Sequence, residues 1–271
     1  MRPEEITIAV EWAAREGWNP GHSDAACFAT VDPHGFLIGE LDGKPAATIS
    51  CVNYNQRFSF LGFYIVRPEL RGRGLGLHIW NDAIAHAGAR TVGLDGVIAQ
   101  QENYKKSGFA LAYRNIRYGG HWPGAPVAPG IVPLADIPIE TVAADDATVF
   151  PADRPVFLRA WIAAPGHIGR ALVRDGRLAA WGVIRPCLTG SKVGPLVADD
   201  RAAAEAVLDA LMAASGADQI FLDVPEPNGP GVALAQGRGL TPIFETARMY
   251  TGPVRAVQLQ RAYGVMTFEL G

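Results

Sequence analysis

The sequence has few cysteines, no excess of charge of one sign and no long apolar run. Its three cysteines, Cys27, Cys51 and Cys187, lie far apart without a C-x-x-C pair, so we predict no disulfide framework and no metal site. Twenty-four basic and 27 acidic residues leave a formal net charge of −3, which favours neither nucleic acid nor an anionic membrane as a partner. No stretch reaches the roughly 18 apolar residues of a membrane helix. Acidic residues interrupt residues 1–17, which argues against a signal peptide and predicts a cytoplasmic protein.

The chain is long enough for one large or two ordinary domains, and 49% of its 271 residues are apolar. Prolines and glycines are dense after Tyr118 and indicate a connector. The part beyond it reads as a decayed copy of the part before: residues 220–224 echo residues 93–97, and Arg248 echoes Arg117. We therefore predict a first domain at 1–120, a linker at 121–133 and a second domain at 134–271.

A glycine-rich loop lies between a predicted strand at residues 58–66 and a helix that begins near Leu75. Unpaired N–H groups at a helix start favour an anion, and glycine lets the backbone approach it closely. The loop therefore predicts a phosphate site. It matches neither G-x-x-x-x-G-K-[ST] nor G-x-G-x-x-G, so a P-loop and a dinucleotide fingerprint are both excluded.

The pattern that fits is R-x-x-G-x-G, formed by Arg71, Gly74 and Gly76, and it resembles the pyrophosphate loop of the GCN5-related N-acetyltransferases (GNATs). Residues 103–109 resemble the Y-x-x-x-G-F segment of that family through Tyr104. Where many members carry an asparagine a helical turn or more earlier, this chain has Gln100 and Gln101, and Asn103 is adjacent to the tyrosine. The resemblance implies a mixed α/β fold, here two fused acyl-CoA N-acyltransferase-like domains.

By the same resemblance, acetyl-CoA is the acyl donor and Tyr104 the acid that protonates the leaving thiolate. Tyr64 to Val66 would pair with the pantetheine arm, while the base stays open among Asp24, Asp95, Glu40 and His22. The residues that the resemblance assigns to acetyl-CoA binding are Tyr64, Ile65, Val66, Arg71, Gly72, Arg73, Gly74, Leu75, Gly76, Asn103 and Tyr104. Those it leaves as catalytic candidates are Tyr104, Asp95 and Asp24.

The predicted second domain lacks the phosphate loop. Asp199 and Asp200 stand near its helix start, where they would satisfy the dipole and repel a pyrophosphate. We therefore expect acetyl-CoA in the first domain alone, with the second domain either forming a wall of the acceptor pocket or holding the first domain open. The loop at residues 18–24 is a second candidate wall, and residues 264–270 read as a final strand.

The function implied is transfer of an acetyl group to a small-molecule amine, by direct attack, in a monomer or homodimer that binds neither nucleic acid nor membrane. One alternative is a protein or peptide N-acetyltransferase, which would need an open groove. Another is a non-catalytic acyl-CoA-binding sensor, against which the intact Tyr104 and glycines argue.

Overall fold

A computed structural model of the chain describes residues 1–122 and 126–271. It confirms the predicted mixed α/β fold, in which helices pack on a sheet that both halves of the chain build. The strands in these residues are β1 (Phe36–Leu41), β2 (Lys44–Asn53), β3 (Phe58–Val66), β4 (Thr91–Val97), β5 (Ala110–His121), β6 (Ile131–Pro133), β7 (Ile168–Arg174), β8 (Arg177–Pro186), β9 (Ser191–Ala198), β10 (Gln219–Pro225), β11 (Thr241–Tyr250) and β12 (Ala262–Gly264).

The helices flank this sheet and connect its strands. In the described residues they are α1 (Ile6–Arg15), α2 (Asp24–Phe28), α3 (Leu75–Ala87), α4 (Gln101–Lys106), α5 (Ile139–Asp146), α6 (Pro155–Ala163), α7 (Arg201–Ser215) and α8 (Gly229–Gly237). Helix α3 follows the glycine loop and buries Ile79, Trp80, Ala83 and Ala87, the apolar face that its helical spacing predicts. No helix of the described residues is long and apolar enough to cross a membrane.

The sheet order shows that the two halves exchange their last long strands. Along the sheet the order is β1-β2-β3-β4-β11-β5-β10-β9-β8-β7-β6. Strand β11, from the second half, therefore lies between β4 and β5, and β5, from the first half, lies between β11 and β10. Each half thus supplies one strand to the part of the sheet that the other half builds. Without that strand, the sheet of each half would be interrupted.

Two buried ion pairs repeat across this exchange. Arg248 on β11 lies opposite Asp95 on β4 and donates two hydrogen bonds to it, at 2.8 and 2.7 Å. Arg117 on β5 lies opposite Asp223 on β10 and donates two bonds at 2.7 and 2.8 Å. Each pair therefore joins one half of the chain to the other, and its members occupy positions that echo each other in the sequence.

The end of the described chain corrects one prediction. Residues 264–270 do not form a strand: β12 pairs with β9 and stops at Gly264, and residues 265–271 continue as a buried, largely turn-like segment. Tyr54 donates a hydrogen bond of 2.7 Å to the carbonyl oxygen of Leu270, and Arg154 donates to that of Gly271. The segment is therefore held between the first half of the chain and helix α6.

The predicted linker at residues 121–133 is only partly described, because residues 123–125 lie outside the described residues. At its ends, His121 is the last residue of β5 and residues 131–133 form β6. The connector between strands is thus shorter than the proline and glycine pattern predicts.

Candidate active site

The glycine loop takes the conformation that an anion site needs. Gly72 and Gly74 have φ angles of 75° and 78°, in the left-handed region that favours glycine. Helix α3 begins directly after Gly74 without a side-chain cap. Among the described residues, the N–H groups of residues 72–74 make no hydrogen bond, and the first turn of the helix leaves the next two N–H groups unpaired as well. These groups and the helix dipole can bind a phosphate.

The loop forms one end of a cleft of about 550 Å³. Tyr64, Ile65 and Val66 of β3 line its side, and residues from the second half reach it through Phe244. Gly76 lies beneath the Tyr64 ring: a Cβ at this position would be 2.5 Å from the Tyr64 hydroxyl, so glycine is required for this packing. The glycine loop and the β3 residues thus meet in one cleft, as the sequence predicts.

Strands β3 and β4 separate at the inner end of this cleft. Their parallel pairing ends at Leu61 and Leu94. Beyond Leu61, β3 carries a bulge at Phe63 and Tyr64, where two residues face one on β2 and Phe63 has a φ angle of 49°. The β4 side of residues 62–66 consequently has no strand partner in the described residues, which leaves main-chain groups available to a ligand.

A smaller, mostly apolar cavity of about 60 Å³ lies at this separation and continues from the cleft. Trp18, Tyr64, Val97, Gln100 and Phe244 line both spaces, so the cavity and the cleft are contiguous. The remaining residues of the cavity come from β3, β4, α4, β11 and the segment 265–271. They are Leu61, Gly62, Phe63, Leu94, Asp95, Tyr104, Thr246, Phe268 and Glu269.

Tyr104 lies at this inner cavity. Its ring stacks on Trp80 of α3 at 5.7 Å and lies against Gly96, where a Cβ would be 2.7 Å from the ring. Burial raises the pKa of Tyr104, and the nearby Tyr64 adds to the shift, so the hydroxyl stays protonated at neutral pH. It can therefore act as a proton donor and not as a base.

Of the predicted acetyl-CoA contacts, Arg71 lines the cleft, whereas Arg73 and Asn103 line neither the cleft nor the inner cavity. The Arg71 side chain is an ion pair with Glu16 and donates to the carbonyl oxygen of Val66 at 2.8 Å, while the Arg73 side chain is exposed and does not line the cleft. Asn103 is exposed and donates to Gln100 at 2.9 Å. Gln100 is the amide that lines both the cleft and the inner cavity.

Two predicted catalytic acids have arginine partners. Asp24 is buried on Arg185, at 2.9 Å, and does not line the inner cavity. Burial alone would raise the pKa of Asp24, but Arg185, Lys192 and the Gly21 N–H together hold it below its ordinary value. Asp95 does line the cavity, yet both of its oxygens accept from Arg248.

The other two candidate bases lie outside the cleft and the inner cavity. His22 and Glu40 are exposed, and neither lines the cleft or the inner cavity. The loop that carries His22 is instead attached to the second half: Asn19 exchanges hydrogen bonds of 2.9 and 3.0 Å with Thr189. Of this loop, Trp18 lines the cavity and forms part of its wall.

The corresponding helix start in the second half is already satisfied. Asp200 is the N-cap of α7 and accepts the Ala203 N–H at 2.8 Å. A hydrogen bond from Arg174 is the largest contribution that lowers the pKa of Asp200, so the carboxylate stays charged. An anion at this helix start would meet that charge in place of unpaired N–H groups.

Four residues of the inner cavity come from the second half of the chain, and none of them was predicted: Phe244, Thr246, Phe268 and Glu269. They come from β11 and the segment 265–271, at least 130 positions after Tyr104 in the sequence. Strand exchange brings β11 beside β4, and no motif in the sequence marks that neighbour. The echo of Arg117 by Arg248 is the one signal that could have indicated it.

Comparison with known proteins gives matches over both halves. A model of the acetyltransferase (GNAT) family matches residues 4–109, and a model of an acetyltransferase (GNAT) domain matches residues 142–264. The holothin acyltransferase of Pseudoalteromonas sp. (strain SANK 73390) is 32% identical over 271 residues, which cover 99% of this chain and 92% of that protein.

Solved structures show the same fold. A candidate acetyltransferase from Pyrococcus horikoshii superposes with a TM-score of 0.86 at 23% identity, over 100% of this chain and 94% of the other. A tandem GNAT protein from the clavulanic acid biosynthesis pathway superposes with a TM-score of 0.62 at 14% identity, over 93% and 98% of the two chains.

Proposed function

Because the chain belongs to the GNAT family of acyltransferases, we propose that it transfers an acetyl group from acetyl-CoA to the amine of a small molecule. The observation that carries this proposal is the continuity of the glycine-loop cleft with the inner cavity at Tyr104. One end offers unpaired N–H groups to a pyrophosphate, and the other offers a proton donor beside unpaired main-chain groups of β3. This is the arrangement that a CoA thioester requires.

The size of the inner cavity supports acetyl as the transferred group. Its volume of about 60 Å³ has room for roughly four or five water molecules, which is the size of an acetyl group and the end of an amine. A long acyl chain would have to displace buried side chains such as Leu61 and Phe63. A short acyl donor therefore fits the cavity as it stands.

The walls of the cavity support a small acceptor. Phe244 and Thr246 of β11, with Phe268 of the segment 265–271, add a wall from the second half of the chain to the cavity. The cavity is mostly apolar, with six aromatic residues among the fourteen that line it and a few polar groups. An amine attached to a compact apolar or aromatic group matches this lining better than an extended chain does.

The residues of the site divide the chemistry between them. The N–H groups of residues 72–76 would bind the pyrophosphate, and Gln100 would contact the pantetheine arm. An unpaired main-chain N–H near Tyr64 would polarise the thioester carbonyl. Tyr104 would donate a proton to the thiolate when the carbon–sulfur bond breaks. Asp24 and Asp95, which we predicted as catalytic from the sequence, would act as structural acids because each has an arginine partner.

The function can be tested by the release of free CoA thiol. We expect release to depend on both acetyl-CoA and a primary amine, in a panel that includes benzylamine, and to be at least about 10-fold faster with acetyl-CoA than with octanoyl-CoA because of the cavity volume. Mass spectrometry of the amide product confirms the transfer. If acetyl-CoA binds by calorimetry and no amine releases thiol, the protein is a sensor, and the proposed function is wrong.

A Tyr104→Phe variant tests the proton donor. We expect kcat to fall by about 100-fold because the thiolate leaves without its proton, while the Kd for acetyl-CoA changes by less than about twofold. The ring, its stacking on Trp80 and its contact with Gly96 are retained. Tyr118→Phe, on β5 and outside the residues that line the cleft and the inner cavity, is the matched control and should keep the full rate. An unchanged kcat for Tyr104→Phe would assign the tyrosine to packing alone.

A further inference from the structure

The proposed function names no residue that removes a proton from the acceptor amine. Glu269 lies in a position to act as this general base. Its side chain is 3% exposed and lines the inner cavity together with Tyr104 and Tyr64. The segment that carries it passes directly over β3: a Cβ on Gly62 would lie 2.1 Å from the carbonyl oxygen of Glu269. Glu269 therefore lies beside the bulge where the main chain of β3 is unpaired.

Glu269 differs from the other two buried acids near this cavity because it has no partner. Asp24 and Asp95 each accept two hydrogen bonds from an arginine. In the described residues, the carboxylate of Glu269 neither accepts a hydrogen bond nor lies within 4.0 Å of a cationic nitrogen. A buried carboxyl without a partner is costly, and such groups are found where a ligand uses them.

The charges around Glu269 allow it to ionise. Burial raises the pKa of Glu269 above its ordinary value; Lys192, Arg117 and Arg185 oppose this shift, and Asp24 adds to it. Lys192 is buried and donates only a long hydrogen bond of 3.4 Å, to the carbonyl oxygen of Trp18. The other titratable groups that line the same cavity are Asp95, Tyr104 and Tyr64, and Asp223 acts on Lys192 through its charge. An ionised Glu269 would balance the charge of Lys192, which lies within 4.0 Å of no carboxylate in the part of the chain that the structure describes.

We propose that Glu269 binds the ammonium group of the acceptor and removes its proton. This inference rests on the proposed function. The carboxylate takes one proton from the ammonium, and the neutral amine nitrogen forms a bond to the thioester carbon. The carbon–sulfur bond then breaks, Tyr104 gives its proton to the thiolate, and the second proton of the nitrogen restores Tyr104. The products are an amide and free CoA, with one proton left on Glu269 for release to water.

A Glu269→Gln variant tests this assignment with acetyl-CoA and the amine probe that the wild-type protein uses best. We expect kcat to fall by about 100-fold, and the Kd for acetyl-CoA to stay within about twofold. In the wild-type protein kcat should fall as the pH drops, because the protonated carboxyl is no longer a base, with a midpoint above the ordinary value for glutamate. This acidic limb should be absent in the variant. Glu245→Gln, the same change on an exposed ion pair of β11, should keep both the rate and the limb.

The outcomes separate the two proposals. If the wild-type protein transfers acetyl groups and Glu269→Gln keeps its rate or its acidic limb, Glu269 is not the base and the proposed function stands. If the wild-type protein binds acetyl-CoA and acetylates no amine, the proposed function fails and this inference fails with it. If Glu269→Gln does not fold, the wild-type pH profile decides: a kcat that is flat down to the ordinary pKa of glutamate overturns the assignment.

Discussion

A Gly74→Glu variant is expected to lose acetyl-CoA binding by about 1000-fold while it remains folded. The new carboxylate would lie at the start of helix α3, where it would accept hydrogen bonds from the unpaired N–H groups and repel the pyrophosphate. Two unit charges about 4 Å apart near a protein surface interact by about 4 kcal/mol. Nothing lies within 4 Å of a Cβ at Gly74, so the side chain meets no steric obstacle. Its φ angle of 78° adds a conformational cost of about 1–2 kcal/mol.

Calorimetry with acetyl-CoA measures this loss, and circular dichroism checks the fold. The wild-type protein should bind one acetyl-CoA per chain. Ala202→Glu is the matched control because it adds the same charge at the exposed start of α7 in the second half, and it should bind acetyl-CoA normally. Two sites in the wild-type protein would show that the second half also binds acetyl-CoA. One site that is lost in Ala202→Glu and kept in Gly74→Glu would place acetyl-CoA in the second half instead of the first.

The phosphate loop is the part of the site that local sequence could predict. Glycines with positive φ angles, a helix without a side-chain cap and the preceding strand all occur within residues 58–87, and short-range geometry determines each of them. Local sequence does not show what the side chains of Arg71 and Asn103 contact. The Arg71 side chain pairs with Glu16, 55 positions away, and no local pattern shows that contact.

The inner cavity could not be predicted in the same way, because strand exchange builds it. The sequence indicates two similar halves, and the simplest expectation places each sheet within its own half. The structure instead places β11 beside β4, so that Phe244 and Thr246 enter the site of the first half. Residues 264–270 read as a strand in the sequence, but the segment 265–271 is a buried, turn-like segment that brings Glu269 to the cavity.

The role of Asp95, in stability or in substrate binding, can be judged from the corresponding residue in the other half. From the sequence alone it is either a substrate anchor or an acid paired with arginine. Its counterpart Asp223 lies in the half whose helix start is capped by a carboxylate, and it makes the same pair with Arg117. Because the same pair forms at Asp223, on a strand of the half whose helix start cannot take an anion, we expect both pairs to hold the exchanged strands together.

An Asp95→Asn variant is therefore expected to lower the free energy of unfolding by about 3–5 kcal/mol, because it leaves the buried Arg248 without its counter-charge. Urea unfolding should remain a single transition by both circular dichroism and tryptophan fluorescence, since each half depends on a strand from the other. The folded fraction should still bind acetyl-CoA, because the pyrophosphate site that we propose, at α3 and the glycine loop, is left unchanged.

Glu226→Gln is the matched control for this measurement. It removes a carboxylate from an ion pair with Arg114 of β5, but both of these side chains are close to half exposed, at 45% and 44%. We expect a change below about 1 kcal/mol, because water screens the exposed pair and solvates the arginine that is left. If Asp95→Asn were as mild as Glu226→Gln, or if its two halves unfolded in separate transitions, the buried pairs would not hold the exchanged strands together. Asp95 would then return as a candidate for binding the acceptor at the inner cavity.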